Sequence, residues 1–307
     1  MNKVWLTGDA VVDLIPDGES SYLKCPGGAP ANVAVAISRL NGAAHFMGKA
    51  GNDPLGRFLK ATLCDEKVNV DYFVLDNDQR TSTVVVDLDD EGERSFTFMV
   101  KPSADQFFNF DNIAPLQEGE WLHCCSIALA NNPSRNATFS AMREIRKNGG
   151  FVSFDPNLRE EVWTNPAELT HVVMDAVKLA DVVKFSEEEL TLLTSTATIE
   201  EGIEKLQTLN IPLILVTLGA EGTLVTFNGE SFTVAAKKVS PIDTTGAGDA
   251  FVGGVLARLS QDNDWKNDST IREAVLWGNT CGGLATTKKG AMTALPSRSE
   301  LIELLKD

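Results

Sequence analysis

The sequence is short of positive charge and of long apolar runs, and both shortages narrow the possible functions. Lysine and arginine number 27 against 43 aspartate and glutamate residues, which gives a formal net charge of −16. A surface this acidic repels nucleic acid and anionic lipid, so we discount both as partners. The sequence has no apolar run as long as a membrane span and no N-terminal secretion signal. We therefore expect a soluble, cytoplasmic protein.

Cysteine is scarce and shows no paired spacing. The five cysteines are an odd number without a C-x-x-C pair, so neither a zinc site nor a disulfide framework is expected. Cys124 and Cys125 follow an apolar Trp-Leu pair, which favours a buried strand. Reduced thiols are consistent with a reducing compartment.

The order of the predicted elements indicates an α/β fold. A strand at 4–7 and a helix from about Pro30 come first, and from residue 120 onward apolar runs alternate with segments of helical spacing. Repeated βα units imply a parallel sheet with helices on both faces. The predicted strands there cover 121–126, 151–155, 182–185 and 213–217, and the helices cover 133–147, 167–179, 187–193, 199–206, 247–259 and 271–285.

A predicted hairpin interrupts this alternation. Residues 81–88 and 95–100 are typical of strands, and the turn between them is Asp-Asp-Glu-Gly at 89–92. Phe96 and Phe98 are two residues apart and so point to one face of the second strand. We predict a small β-sheet lid from about 14–26 and 83–101, within a single domain spanning 1–307.

The segment D-T-T-G-A-G-D at 243–249 leads directly into an apolar helix. Unpaired backbone amides at a helix start can bind a phosphoryl group. Asp249 lies in the first turn, and an acid beside an anion site is unfavourable unless it takes a proton from an attacking hydroxyl. The alternative is an acid that only complements the helix dipole. We favour Asp249 as a catalytic base.

Two familiar nucleotide motifs are excluded. The dinucleotide fingerprint requires a third glycine where Phe251 stands. A P-loop around Gly48 and Lys49 fails twice, because Ala43 replaces its first glycine and Ala50 its Ser/Thr.

Polar residues near the N-terminus suit a sugar. Asp9 and Asp13 follow the first strand, and Gly28 and Asn32 lie in the segment G-G-A-P-A-N at 27–32. Open α/β sheets bind ligands at the carboxyl ends of their strands, and carboxylates and amides match hydroxyls that both donate and accept hydrogen bonds. Taken singly, Asp9 could be a turn former and Asn32 a helix cap.

The two glycine-containing segments resemble the signatures of the ribokinase-like (PfkB) carbohydrate kinases, and the resemblance covers essentially the whole chain. Within that family the sequence is most similar to bacterial fructokinases and aminoimidazole riboside kinases. The resemblance implies a mostly parallel central sheet with helices on both faces, a small β-sheet lid, and phosphorylation of a sugar by ATP.

The resemblance also implies roles for single residues. Asp249 would be the base, and the anion hole would comprise Gly246, Ala247 and Gly248. The sugar would contact Asp9, Asp13, Gly28, Asn32, Arg159 and an aromatic wall of Phe96 or Phe98. Magnesium-bound ATP would contact Ser186, Glu189, Thr217, Gly219, Gly222 and Asn279. A monovalent cation, expected to be K⁺, would be held by Asp243, Thr245 and the carbonyls of Ala285, Lys288 and Gly290.

The expected reaction transfers the γ-phosphoryl group of ATP to the 6-hydroxyl of D-fructose. Aminoimidazole riboside is the alternative substrate, because it is also a furanose with a primary hydroxyl. A non-catalytic nucleotide- or sugar-binding module is disfavoured by the presence of Asp249. We also expect a homodimer through the lid, because a small sheet with an apolar face needs cover.

Overall fold

The computed structural model describes residues 1–88 and 94–306. Its strands are β1 (Lys3–Thr7), β2 (Val11–Pro16), β3 (Tyr22–Gly27), β4 (Ala43–Gly51), β5 (Asn69–Asp76), β6 (Thr83–Leu88), β7 (Arg94–Phe98), β8 (Trp121–Cys125), β9 (Phe151–Asp155), β10 (Val182–Ser186), β11 (Leu213–Thr217), β12 (Thr223–Phe227) and β13 (Glu230–Val234). Its helices are α1 (Ala29–Arg39), α2 (Pro54–Asp65), α3 (Ser134–Lys147), α4 (Leu169–Val177), α5 (Glu187–Thr194), α6 (Ile199–Gln207), α7 (Ala247–Leu259), α8 (Asp268–Thr286) and α9 (Arg298–Lys306).

The larger sheet forms the centre of the fold. Over the described residues it has nine strands in the order β13-β12-β11-β10-β9-β8-β1-β4-β5. The strands from β11 to β5 in this order pair in parallel, and β12 and β13 add an antiparallel edge. The carboxyl ends of the parallel strands therefore lie along one edge, where loops can converge on a ligand.

Helices cover both faces of this sheet. In β1, Val4 and Leu6 belong to one buried apolar cluster, whereas Trp5 between them belongs to another. This alternation follows from the two-residue period of a strand. Helices α1, α7 and α8 contribute to the first cluster, and α3, α4 and α5 contribute to the second. The predicted mostly parallel sheet with helices on both faces is confirmed.

A smaller sheet lies beside the first and has four described strands, in the order β3-β2-β6-β7. The hairpin β6–β7 agrees with the predicted strand pair, although β7 begins at Arg94 and ends at Phe98. The predicted turn at 89–92 lies outside the described residues. Strands β2 and β3 extend the predicted 14–26 segment at both ends. The division into one domain with a lid stays a prediction.

The segment containing β4, α2 and β5 is absent from the predicted elements, although it forms one end of the large sheet. Several predicted helices also differ at their ends; for example, α8 begins at Asp268 rather than 271. Within 1–88 and 94–306, no helix has both the length and the apolar character needed to cross a membrane.

Candidate active site

The chemistry-bearing residues converge at the carboxyl edge of the large sheet. Asp9 follows β1, Asp155 ends β9, and Lys184 lies in β10. Helices α1 and α7 begin at the same place and contribute Asn32 and Asp249. Their side chains line one cavity of about 220 Å³. The fold therefore assembles residues that are far apart in sequence.

Most of the predicted sugar and catalytic residues line this cavity. Those that do are Asp9, Asp13, Gly28, Asn32, Phe98, Arg159, Gly246, Gly248 and Asp249, together with the predicted cation residue Thr245. Ala247 is not in the lining, although its neighbours are. The position of the Phe96 side chain lies outside what the structure describes. These placements are consistent with the predicted roles, which themselves stay predictions.

Asp249 is held by a hydrogen bond from the opposite helix. Nδ2 of Asn32 donates to Oδ2 of Asp249 at 2.8 Å. Desolvation raises the pKa of Asp249 to about 7, although the Asn32 hydrogen bond opposes the rise. A carboxyl group with a pKa near neutrality can accept a proton at working pH and release it again, as general-base catalysis requires.

Two buried oxygens in this cavity have no hydrogen-bond partner among the described residues. Oδ1 of Asp9 and Oδ1 of Asn32 accept no hydrogen bond from the described residues, and both residues are at least 95% buried, with exposures of 3% and 4%. Burial raises the pKa of Asp9 to about 7, with a further contribution from the nearby Asp105 carboxyl. Unpaired buried acceptors are unfavourable, and hydroxyl groups of a bound ligand would satisfy them.

The start of α7 has the geometry of an anion site. Gly246 adopts a left-handed conformation with φ of 76°, and the N–H of Ala250 donates to Gly246 O as the first helical bond. The amides of Gly248 and Asp249 precede that bond and so lack a carbonyl partner within the helix. They lie next to the Asp249 carboxyl, where an incoming phosphoryl group would accept from them.

Position 28 requires glycine because of its backbone conformation and its close approach to Asp9. Its φ of +98° is unfavourable for other residues, and a Cβ there would lie 2.6 Å from Asp9 O. The chain entering α1 can therefore approach the Asp9 turn closely, which brings Asn32 to the cavity.

Arg159 lies in the cavity lining, and its Nη1 donates to its neighbour's carbonyl, Leu158 O, at 2.7 Å. Its positive charge lowers the pKa of both Asp9 and Asp249, although burial outweighs it at each. This position is consistent with the predicted contact between Arg159 and the sugar, which stays a prediction.

Sequence reasoning missed two charged residues in the cavity, Lys184 and Asp155. Nζ of Lys184 lies 3.1 and 3.2 Å from the two carboxylate oxygens of Asp155. Their side chains are 11% and 3% exposed. Burial lowers the pKa of Lys184, but the charges of Asp155 and Glu189 raise it further, so the net pKa lies above its usual range. A lysine within the apolar run V-V-K-F was the available signal.

The residues predicted to bind the nucleotide lie along the next strand ends. Ser186 and Glu189 close a capping box at the start of α5. Thr217 ends β11 beside Ser186, and the loop that follows contains Gly219 and Gly222. Glu189 lies beside the cavity, since its Oε2 is 3.8 Å from Nζ of Lys184 in the cavity lining.

Asn279 uses its amide within the protein. Its Oδ1 accepts from Thr223 Oγ1 at 2.6 Å, and its Nδ2 donates to Val234 O at 2.8 Å. These bonds tie α8 to the β12–β13 hairpin. The predicted contact between Asn279 and ATP would therefore involve a side chain that already has partners.

Two of the predicted cation residues, Thr245 and Gly290, contact Asp243. One carboxylate oxygen accepts from Thr245 N and Thr245 Oγ1, and the other accepts from Gly290 N at 2.8 Å. The 285–290 segment thus packs on the turn that precedes the anion site. A carboxylate and backbone carbonyls are oxygen donors that suit a hard cation, so the chemistry of the predicted residues fits a monovalent ion.

The chain is similar to known carbohydrate kinases over nearly its whole length. The model of the "pfkB family carbohydrate kinase" matches residues 1–298. The fructokinase of Vibrio alginolyticus is 58% identical, with 99% of each chain covered. The aminoimidazole riboside kinase of Salmonella typhimurium is 43% identical, covering 98% of this chain and 94% of that one.

Solved structures are also similar to this chain. The crystal structure of fructokinase from Vibrio cholerae O395, with fructose, ADP and calcium ion bound, is 63% identical, covers 99% of each chain and has a TM-score of 0.96. A double mutant of that enzyme, solved with fructose, ADP and potassium ion, covers 99% of this chain and 98% of that one, at 63% identity and the same TM-score.

A parallel sheet that brings a carboxyl group and a helix start to one sugar-sized cavity defines a phosphotransferase-like site. The chain belongs to the pfkB family of carbohydrate kinases. The family and fold predicted from the sequence are confirmed.

Proposed function

We propose that this chain is an ATP-dependent fructokinase that phosphorylates the 6-hydroxyl of D-fructose. The observation that carries the proposal is the Asn32–Asp249 pair at the start of α7, 2.8 Å apart and in a cavity with two unpaired buried oxygens. Two relatives named as fructokinases support fructose, since they are 58% and 63% identical to the chain, against 43% for the riboside kinase.

The mechanism follows from the positions of these groups. The sugar 6-hydroxyl lies at Asp249, which takes its proton as the oxygen attacks the γ-phosphorus. The bond to the bridging oxygen breaks in line, and ADP leaves with the electron pair. Amides at the start of α7 stabilise the negative charge on the transferring group. Asp9 and Asn32 orient the sugar ring through its hydroxyls.

Magnesium would enter with ATP and neutralise charge on its phosphates. Glu189, the acid that the family resemblance implies, would hold it from the start of α5, where its Oε2 lies 3.8 Å from Nζ of Lys184 in the cavity lining. Ser186 caps the same helix. The backbone N–H of Ser186 donates to Glu189 Oε2 at 2.9 Å, which orients this carboxylate.

The smaller sheet supports a lid over the sugar. Asp13 of β2, Val84 of β6 and Phe98 of β7 all line the cavity. An apolar wall on that side would exclude water and limit wasteful hydrolysis of ATP. We propose these strands as the lid.

Aminoimidazole riboside remains a second candidate because a further cavity adjoins the first. This cavity, of about 310 Å³, shares Asp9, Phe98 and Ile127 with the sugar cavity and also contacts Trp163. The flat base of the riboside could stack on an aromatic wall there.

The test is kcat/KM for both substrates with the purified enzyme, measured by coupled ADP release. We expect fructose to be preferred. A preference for the riboside above tenfold, about 1.4 kcal/mol in transition-state binding, would overturn the choice of substrate but leave the kinase mechanism intact. Without turnover of either sugar, the proposed function itself fails.

The rate should depend on the ionisation of the base. Asp249 must be ionised to accept a proton, and its pKa is raised to about 7 by burial. We expect kcat/KM for fructose to rise about tenfold per pH unit up to about pH 7 and then level off. Because Asp9 also has a pKa of about 7, the apparent value belongs to the pair. A profile that stays flat from pH 5 to 8, at saturating ATP, would contradict this assignment.

Activity should depend on the monovalent cation. Asp243 fixes the turn at Thr245 and the 285–290 segment, so an ion bound there would stabilise the adjacent anion site. We propose K⁺ for this site, which agrees with the potassium-bound relative. Replacing K⁺ with tetramethylammonium at constant ionic strength should lower kcat several-fold. Equal rates with both cations would remove the site from the proposal.

We also propose a homodimer through the smaller sheet. Tyr22 and Leu23 on its edge strand β3 are 57% and 56% exposed, and Met99 after β7 is 60% exposed. Exposed apolar side chains of this size indicate a surface that needs cover. Light scattering at micromolar concentration should give twice the 33.2 kDa chain mass, and Leu23→Lys should shift it toward the monomer. A monomeric wild type would contradict the dimer.

A further inference from the structure

Lys184 is a cation at the edge of the transfer site that the mechanism so far does not use. Its side chain lines the same cavity as Asp249, Gly246 and Gly248. A Cβ added at Gly248 would lie 3.6 Å from its Nζ, and beyond the adjoining part of α7 no other described atom would lie within 4 Å. The ammonium group therefore lies against the start of α7, where an incoming phosphoryl group would bind.

The Lys184 ammonium has a donor to spare. It carries three N–H groups, and the two oxygens of Asp155 accept at 3.1 and 3.2 Å. Oε2 of Glu189, at 3.8 Å, is beyond hydrogen-bond distance. At least one N–H thus remains for a ligand in the cavity.

The negative charge of the carboxyl groups around the cavity favours a cationic side chain near the bound phosphates. Four carboxyl groups line it, those of Asp9, Asp13, Asp155 and Asp249, against two cationic side chains, Lys184 and Arg159. Phosphates of ATP would add further negative charge to this acidic lining. Lysine is a common phosphate ligand because its ammonium is a compact charge with rotatable donors.

We propose that Lys184 is a further catalytic residue, which binds a non-bridging oxygen of the γ-phosphoryl group as it passes from ATP to the sugar. The proposal rests on the proposed function. In the step, the bond from O6 to phosphorus forms and the bond to the bridging oxygen breaks. The O6 proton goes to Asp249, and Lys184 transfers no proton. Its charge offsets the negative charge on the equatorial oxygens.

Asp155 is the positioning residue for this lysine. Its carboxylate is almost fully buried and contacts Lys184 through both oxygens. That contact fixes the long, flexible lysine side chain before ATP arrives. The competing explanation is that Lys184 only neutralises buried Asp155. The two explanations differ in what they predict for ligands that mimic the transferring phosphoryl group.

The test compares binding of ADP alone with binding of ADP plus aluminium fluoride, a mimic of the transferring group, in the presence of fructose and Mg²⁺. Calorimetry would be carried out on wild type, Lys184→Arg and Lys184→Met. Because Lys184→Met leaves buried Asp155 unpaired, the double variant Lys184→Met/Asp155→Asn serves as the form without that unpaired charge.

We expect Lys184→Met and the double variant to lose at least about 100-fold in kcat and in affinity for the fluoride complex, while ADP affinity changes less than about threefold. Lys184→Arg should recover part of both losses. The proposal would be overturned if the ratio of affinity for the fluoride complex to affinity for ADP were the same in the double variant as in wild type. Near-wild-type kcat in either Met variant would also overturn it. Absence of sugar turnover in wild type would instead count against the proposed function.

Discussion

Asp249→Asn is expected to lower kcat for fructose by at least about 100-fold, within the usual range for loss of a general base. The amide oxygen of an asparagine can still accept the hydrogen bond from Asn32 Nδ2, now 2.8 Å from Asp249 Oδ2. The cavity should keep its shape and lose only the ability to accept a proton. Steady-state kinetics with ATP binding measured separately would show this as a loss in kcat with little change in nucleotide affinity.

Asp268→Asn is a matched control for this prediction. Asp268 also lies in the first turn of a helix, α8, but it is exposed and pairs with Arg272. If first-turn acids matter only through the helix dipole, both variants should behave alike. We expect Asp268→Asn to keep wild-type turnover. Turnover by Asp249→Asn close to the wild-type value would remove Asp249 as the base.

The same substitution should not weaken the ligand-free fold. Burial raises the folded-state pKa of Asp249 from 3.8 to about 7, so the folded state keeps this proton longer than the unfolded state. The free energy of unfolding therefore falls as pH rises from about 4 to 7. A neutral asparagine removes this loss, so Asp249→Asn should melt no lower than wild type at pH 8.

The sequence pattern predicted the parts of the large sheet in which apolar strands alternate regularly with helices. The runs that form β8, β9 and β11 are buried except for Phe151 and Thr217, which are half-buried, and their pattern needs no knowledge of distant contacts. Strand β4 was missed because it contains His45, Gly48 and Lys49. Lys49 is tolerated there because Asp76 of β5 pairs with it at 2.6 Å, and a local pattern cannot reveal that partner.

The candidate site shows a similar limit. Asn32 and Asp249 lie 217 residues apart, and motif resemblance placed both in the site. Lys184 lies outside both motifs, and its proposed role depends on its contact with Asp155 in the neighbouring strand β9. Asn279 was identified for nucleotide contact, but its bonds to Thr223 and Val234 depend on how α8 packs on the β12–β13 hairpin.

Gly248 offers a way to separate catalysis from stability. It lies in the first turn of α7, and its φ does not fall in the left-handed region. A methyl group there would find ordinary packing distance to Lys184 Nζ, 3.6 Å away, and beyond the adjoining part of α7 no other described neighbour within 4 Å. By contrast, a Cβ at Gly246 would lie 2.9 Å from Ala291 Cα on backbone with φ of +76°. Alanine is therefore compatible with the fold at 248 but not at 246.

Gly248→Ala is expected to raise the free energy of unfolding by about 0.4–1 kcal/mol, because alanine has less freedom than glycine in the unfolded chain and favours a helix. The same methyl group would occupy the space between the first-turn amides and Lys184, where the phosphoryl group must bind. Loss of one such donor typically lowers kcat by about 100- to 1,000-fold, so we expect a more stable protein with a loss of that size. Thermal denaturation and steady-state kinetics on one preparation would measure both effects. A variant that is stabilised and still turns over fructose at the wild-type rate would show that the phosphoryl group does not bind at the start of α7.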